Sequence, residues 1–229
     1  MKSQRTNFQV IAATLMLLIA PVLWSREAPA TQQSIRFDSL GSGTVMRVDG
    51  TSTVHDWTVK GPTISGYLEF NVSVPANATT EQVREAIIAN PEAIVDVQIP
   101  VSSLKSGKKD MDKKMYEAMK VKQFPTIHYK LTSLQVPSGA TAQEESYNVQ
   151  TVGELTVAGV TRELRMPMTL RVINSRNIQI TGATTMKMTD FNVKPPQAML
   201  GMIKSGDRIE VKFEWSAART NVETSDSPR

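Results

Sequence analysis

The chain of 229 residues contains no cysteine. That absence excludes disulfides, a cysteine nucleophile, iron–sulfur clusters and thiolate metal sites. Histidine is almost as scarce. His55 and His128 are the only two, and a metal site needs three or four converging ligands, so no metal is expected. No nucleophile motif of the Gly-x-Ser-x-Gly type occurs, and no carboxylates pair at a recognisable spacing. His55 and Asp56 are neighbours, and neighbours on a strand point to opposite faces, so Asp56 is badly placed to orient the imidazole. These absences argue against an enzyme. A strong charge imbalance is missing too. The first 30 residues hold three of the 26 basic and one of the 22 acidic residues, which leaves +2 on the remainder. Nothing in that balance calls for nucleic acid.

Long apolar runs are confined to one place. Lys2 and Arg5 precede the uncharged stretch Phe8–Ala20, and Ala28 and Ala30 follow at the spacing of a signal-peptidase site. Residues 1–30 are therefore read as a removed signal peptide, and the protein as periplasmic or secreted. The alternative is a retained anchor, for which Phe8–Trp24, 17 residues, is short of the roughly 20 that span a bilayer. Residues 31–220 form the expected folded domain, and the polar tail 221–229 is expected to be disordered. Without disulfides, the domain depends on a real hydrophobic core.

What the domain does contain is alternation with period two, the mark of half-buried strands. Leu164, Met166, Met168, Leu170 and Val172 alternate with polar residues, as do Ile209, Val211, Phe213 and Trp215. Leu68, Phe70, Val72 and Val74 repeat the pattern. So do Val95, Val97, Ile99 and Val101, then Ile127, Tyr129 and Leu131. A weaker version runs through Ile178, Ile180, Thr184 and Met186, and segments 44–49, 53–59 and 147–157 complete the set. Turn residues such as Gly61-Pro62 and Ser205-Gly206-Asp207 separate the runs. About eight antiparallel strands follow, as a two-sheet sandwich or a closed barrel. In the Ile127–Leu131 run His128 faces solvent, whereas His55 shares a face with Trp57 and Val59 and is expected to be buried.

Two helices interrupt the strands. Thr80–Asn90 follows a threonine cap, carries Val83, Ala86 and Ile87 at helical spacing, and stops before Pro91. Lys109–Lys120 sets Met111, Met115, Ala118 and Met119 on one stripe, expected to cover one end of the β-structure. The stretch Met188–Gly206 is apolar, yet Pro195-Pro196 and Gly201 break it, which is the pattern of a lid or binding loop.

Four motifs in order carry a resemblance. Gly153–Thr161 (GELTVAGVT) resembles the G-x-L-T-hydrophobic-x-G-hydrophobic-T signature of the YceI-like family. Gly50–Trp57 (GTSTVHDW) resembles its N-terminal histidine motif. Val101–Gly107, Met111-Asp112 and Phe124–Ile127 match its middle region. Asp190-Phe191, Pro195-Pro196 and Gly206-Asp207 match its C-terminal pattern, although Lys187-Met188-Thr189 and Asn192 replace the usual basic residue and glycine. The resemblance spans about residues 35–218. It implies an extended, lipocalin-like antiparallel β-barrel whose cavity holds a polyisoprenoid or another lipid.

A ligand in such a barrel would touch the inward residues Leu68, Phe70, Val97, Ile99, Tyr129 and Leu131, then Met166, Met168, Leu170, Phe213 and Trp215. Met111 and Met115 of the second helix and Phe191 of the loop join them. The expected function is an exported, non-catalytic protein that holds an isoprenoid-like or fatty-acyl chain, with no other cofactor. The alternative is an envelope interaction or stress-protection module whose barrel is filled. Methionine fits the first reading because flexible thioethers adapt to irregular apolar ligands, though they also fill gaps in ordinary cores. Lys105, Lys108, Lys109, Lys113 and Lys114, with Lys120 and Lys122, form a basic cluster. It is either a solvated helix face or a contact for an anionic membrane.

Overall fold

The computed structural model describes residues 34–220. The expected signal peptide and the C-terminal tail lie outside the described residues. Eleven strands and two helices follow in order: β1 Ile35–Ser39, β2 Val45–Ser52, β3 Trp57–Gly61, β4 Ser65–Phe70, α1 Thr80–Ala89 and β5 Ala93–Pro100. Then come α2 Lys109–Ala118, β6 Thr126–Gln135, β7 Ser146–Val157, β8 Val160–Val172, β9 Asn177–Lys187, β10 Gln197–Ala198 and β11 Ile203–Thr220.

All pairings are antiparallel, and eight strands close a ring in the order β1-β4-β5-β6-β7-β8-β9-β11. The ring shuts where β1 meets β11, from Arg36 opposite Thr220 to Ser39 opposite Ala217. β11 is 18 residues long and β1 only five, so β1 cannot cover it. The β2–β3 hairpin takes over along the rest of β11, from Glu214 opposite Val45 to Ser205 opposite Ser52. The far edge of β3 is closed in turn by reciprocal backbone bonds between Lys60 and Lys105, 2.8 and 2.7 Å. Closure removes the unpaired edges that would otherwise recruit other strands.

The inside differs at its two ends. At one end Ile35, Phe37, Phe70, Val172, Ile178 and Ala217 are buried, and α1 contributes the fully buried Val83 and Ile87. α1 forms because Thr79 and Gln82 make a reciprocal capping box: Gln82 N–H donates to Thr79 Oγ1 (3.2 Å) and Thr79 N–H to Gln82 Oε1 (2.9 Å). It plugs that end. At the other end the wall opens. β8 pairs with β9 only from Met168 to Val172. Pro167 stands at the point where the ladder stops, and proline has no N–H to continue it. The turn Met188–Phe191 bridges the gap, with Arg162 Nε–H donating to Asp190 O at 2.9 Å.

Several expectations need correction. The strand expected over 53–59 begins only at Trp57. Before it, Ser52 Oγ accepts from the N–H of Val54 and His55 (3.3 and 3.2 Å) and makes a turn. His55 is therefore exposed rather than buried, with Nδ1 2.9 Å from Asp56 O. The strand after the broken loop starts at Ile203, earlier than the turn residues around Gly206 indicated, and β1 had no counterpart among the expected strands. His128 lies on the outer wall as expected, 2.5 Å from Asp96 Oδ1.

Candidate functional site

Between the plugged end and α2 lies a cavity of about 570 Å3, within the range of small-molecule sites. No residue of β1, β4 or α1 reaches it. Its walls are hydrocarbon and thioether. Eight of the twelve methionines in the chain line it: Met46, Met111, Met115, Met119, Met166, Met168, Met186 and Met188. Long, unbranched side chains with a polarizable sulfur adjust to a ligand without a fixed shape.

The space stays open for a steric reason. Three inward aromatic rings each rest on a glycine of a neighbouring strand. A Cβ added at Gly50 would fall 2.2 Å from the Trp57 ring, at Gly153 2.4 Å from the Tyr129 hydroxyl, and at Gly182 2.7 Å from the Phe213 ring. Each ring occupies the volume that a side chain would take on the wall, and so leaves the lumen clear. Trp57 is fixed further by its Nε1–H, which donates to Thr51 O at 2.9 Å.

Of the expected ligand-contacting residues, Val97, Ile99, Tyr129, Met166, Met168 and Phe213 line the cavity from the strands. Met111 and Met115 line it from α2, and Phe191 from the loop. Leu68, Leu131, Leu170 and Trp215 lie instead around a separate void of about 60 Å3 in the packed half. Trp215 is held there by its indole N–H, 2.9 Å from Ser39 Oγ. Phe70 touches neither space, because the end it occupies is filled by α1 and the first strand. Wall residues that were not expected include Val48, Val59, Ile64, Leu104, Leu164 and Ile209. Leu164 and Ile209 belonged to recognised alternating runs and were legible as inward. Ile64 and Leu104 lie in connections, where alternation gives no signal.

Val97, Tyr129 and Met168 line both spaces and form the partition between them. Burial pushes the Tyr129 hydroxyl's pKa upward, and the nearby Thr151 hydroxyl pulls slightly the other way. Their contact falls short of hydrogen-bond geometry, and Tyr129 Oη is buried without a partner. Thr151 donates its own hydroxyl to Met166 O at 2.8 Å.

Charge gathers at the rim. His55, Lys108, Lys109, Asp110 and Lys114 are exposed and border the opening. Not every lysine of the basic cluster is free. Lys105 Nζ donates to the Tyr116 hydroxyl at 2.7 Å and sits over its ring, while Tyr116 donates to Leu104 O at 2.7 Å. Lys114 Nζ donates to Gln197 O at 3.0 Å and so ties α2 to the loop. The buried Asp112 accepts from Ser106 N–H (2.7 Å) and Ser106 Oγ (2.6 Å), which fixes the start of α2. Among the described residues no group of three or more histidines and carboxylates is placed to hold a metal ion.

Comparison with solved structures places this barrel in known company. BcnA of Burkholderia cenocepacia superposes with a TM-score of 0.56 at 17% identity, covering 79% of this chain and 99% of its own. A polyisoprenoid binding domain from Saccharophagus degradans, implicated in plant cell wall breakdown, gives 0.55 at 11% identity, covering 81% and 98%. At such identities these likenesses speak to the fold. No curated protein matches the chain significantly. The family model of the YceI-like domain matches residues 30–217, nearly the whole of the barrel, and the chain belongs to the YceI-like family.

Proposed function

We propose that the protein is an exported carrier or sequestering protein for a lipid, with an isoprenoid-like or acyl chain lying in the barrel. The observation that carries this reading is the methionine-lined cavity, whose walls are mostly apolar and whose charged groups stand at its rim. Burial is the mechanism. A chain hiding on the order of 300 Å2 of hydrocarbon gains about 7 kcal/mol at 25 cal/mol per Å2. That corresponds to an affinity of about 10 μM before ordering costs are subtracted. The binding of a polyisoprenoid by the Saccharophagus degradans domain, which shares the fold, supports the isoprenoid option.

Binding rather than catalysis suits a site whose charged groups stand at the mouth, away from the ligand's length. The filled-barrel module fits less well, because only one end of the barrel is filled. Lys108, Lys109, Lys113 and Lys114 would draw the mouth toward an anionic membrane, each contributing about 1 kcal/mol near the surface.

The test is to fill the lumen. Thr184 lines the cavity from β9, and Thr184→Trp is expected to lower binding of a pyrene-labelled acyl chain by about tenfold or more, through lost buried area. Far-UV circular dichroism should stay that of the parent. Binding unaffected by the tryptophan would place the probe outside the barrel and contradict the reading.

A further inference from the structure

The cavity rim carries a feature that the ligand does not explain. Leu200 is 107% exposed, Met202 70%, Val54 64% and Met199 63%. Soluble proteins scatter single apolar residues over their surfaces, but a cluster of large ones on a projecting tip marks a contact with something apolar. These four belong together. β10 and the start of β11 form a short hairpin, with Gln197 opposite Lys204 and residue 198 opposite Ile203. Thr53 docks on its base: Thr53 N–H donates to Lys204 O (3.0 Å) and Thr53 Oγ1 to Met202 O (3.2 Å), which sets Val54 beside the tip.

The backbone at the tip adds to the anomaly. Met199 and Leu200 have φ of +48° and +56°, and Gly201 has +91°. Left-handed backbone is unfavourable for a residue with a Cβ, and here it turns two apolar side chains into solvent. The other eight methionines of the described residues are inside; Met199 and Met202 are not. Charge stands beside the tip. Lys204 is exposed on the hairpin, Lys114 is bonded to its base at Gln197, and Lys108, Lys109 and Asp110 border the cavity that this base lines.

We propose that the tip Met199–Met202, with Val54, inserts into the surface of an anionic lipid bilayer and seats the cavity mouth on it. The inference deepens the membrane contact proposed above. An exposed apolar tip with lysines at its base matches hydrocarbon beneath anionic headgroups, which is how interfacial elements bind membranes. Pro196, Gln197, Ile203 and Ser205 line the cavity at the base of the same hairpin, so insertion would bring lipid to the opening.

The absence of native cysteine makes a direct test simple. Leu200→Cys in the protein purified after export is labelled with an environment-sensitive fluorophore, and Ser138→Cys, in the exposed loop after β6, serves as the control. With vesicles of phosphatidylcholine and phosphatidylglycerol, the Leu200 label is expected to shift to the blue and be quenched by quenchers on lipid tails. The effect should weaken with salt or with phosphatidylcholine alone, and the Ser138 label should not respond. A Leu200 label that stays in water overturns the proposal, as does a shift that grows with protein concentration without vesicles, since a second copy would then cover the tip. In unlabelled protein, Leu200→Gln with Met202→Gln should cut co-flotation with those vesicles about tenfold; unchanged flotation also overturns it. Pyrene-acyl binding by the double variant reports separately on the cavity, so loss of one reading is distinguishable from loss of the other.

Discussion

Tyr129 stands where the hollow half of the barrel meets the solid half, and its hydroxyl has no partner. A buried, unsatisfied polar group costs stability that phenylalanine would not incur. Tyr129→Phe is therefore expected to leave stability unchanged or raise it by about 1 kcal/mol, read from urea unfolding; a clear loss would mean that the hydroxyl has a partner in solution. Asp38 gives the opposite case. The Arg36 guanidinium holds its carboxyl below the usual range, against burial and with help from the Thr220 hydroxyl across the seam of the barrel. Because its folded pKa is depressed, Asp38 stabilises the fold above the ordinary carboxyl range, and that contribution disappears as pH falls through the folded value. The melting temperature of Asp38→Asn should lie below that of the parent at neutral pH, with the gap closing in acid. A gap that persists unchanged below about pH 3 would contradict the assignment. His55 shows what alternation misses at this scale. Its period matched a strand, but the Ser52 hydroxyl captured the local N–H groups and made a turn instead.

At the scale of elements, the long strands were legible because each buries one face against the interior, so apolar and polar residues alternate. β8 and β11 show it plainly. Alternation says which side chains point inward, but it carries no information on how far along the barrel axis they lie. Leu68, Phe70, Leu170 and Trp215 were correctly read as inward and yet sit in the packed half. What decides their surroundings is α1, whose Val83 and Ile87 plug that end of the barrel. The pairing of rings with glycines across strands was invisible for the same reason, because register is not written in either strand alone. The two helices should respond differently to truncation. Ile87→Ala in α1 removes a fully buried plug and is expected to cost about 2–5 kcal/mol. Met115→Ala in α2 faces open space and should cost less than about 1 kcal/mol, since few contacts are lost. Equal losses in chemical denaturation would mean that α2 packs on a solid interior.

As a whole molecule, the protein stabilises itself without disulfides by closing its sheet and filling one end, which leaves the other end free to be hollow. The match to the YceI-like family spans both halves of that arrangement, residues 30–217. The order of motifs made the family recognisable, while the extent of the cavity and the apolar tip came only from the fold. Methionine links these scales: eight line the lumen, and two stand on the tip beside its mouth. The central claim is that this space holds a lipid. Native mass spectrometry of the purified protein, followed by organic extraction, tests it most directly. The account predicts a stoichiometric adduct that extraction identifies as a polyprenyl or acyl species, or that forms on exposure to a total lipid extract. A clean apo mass that takes up nothing from such an extract would contradict it.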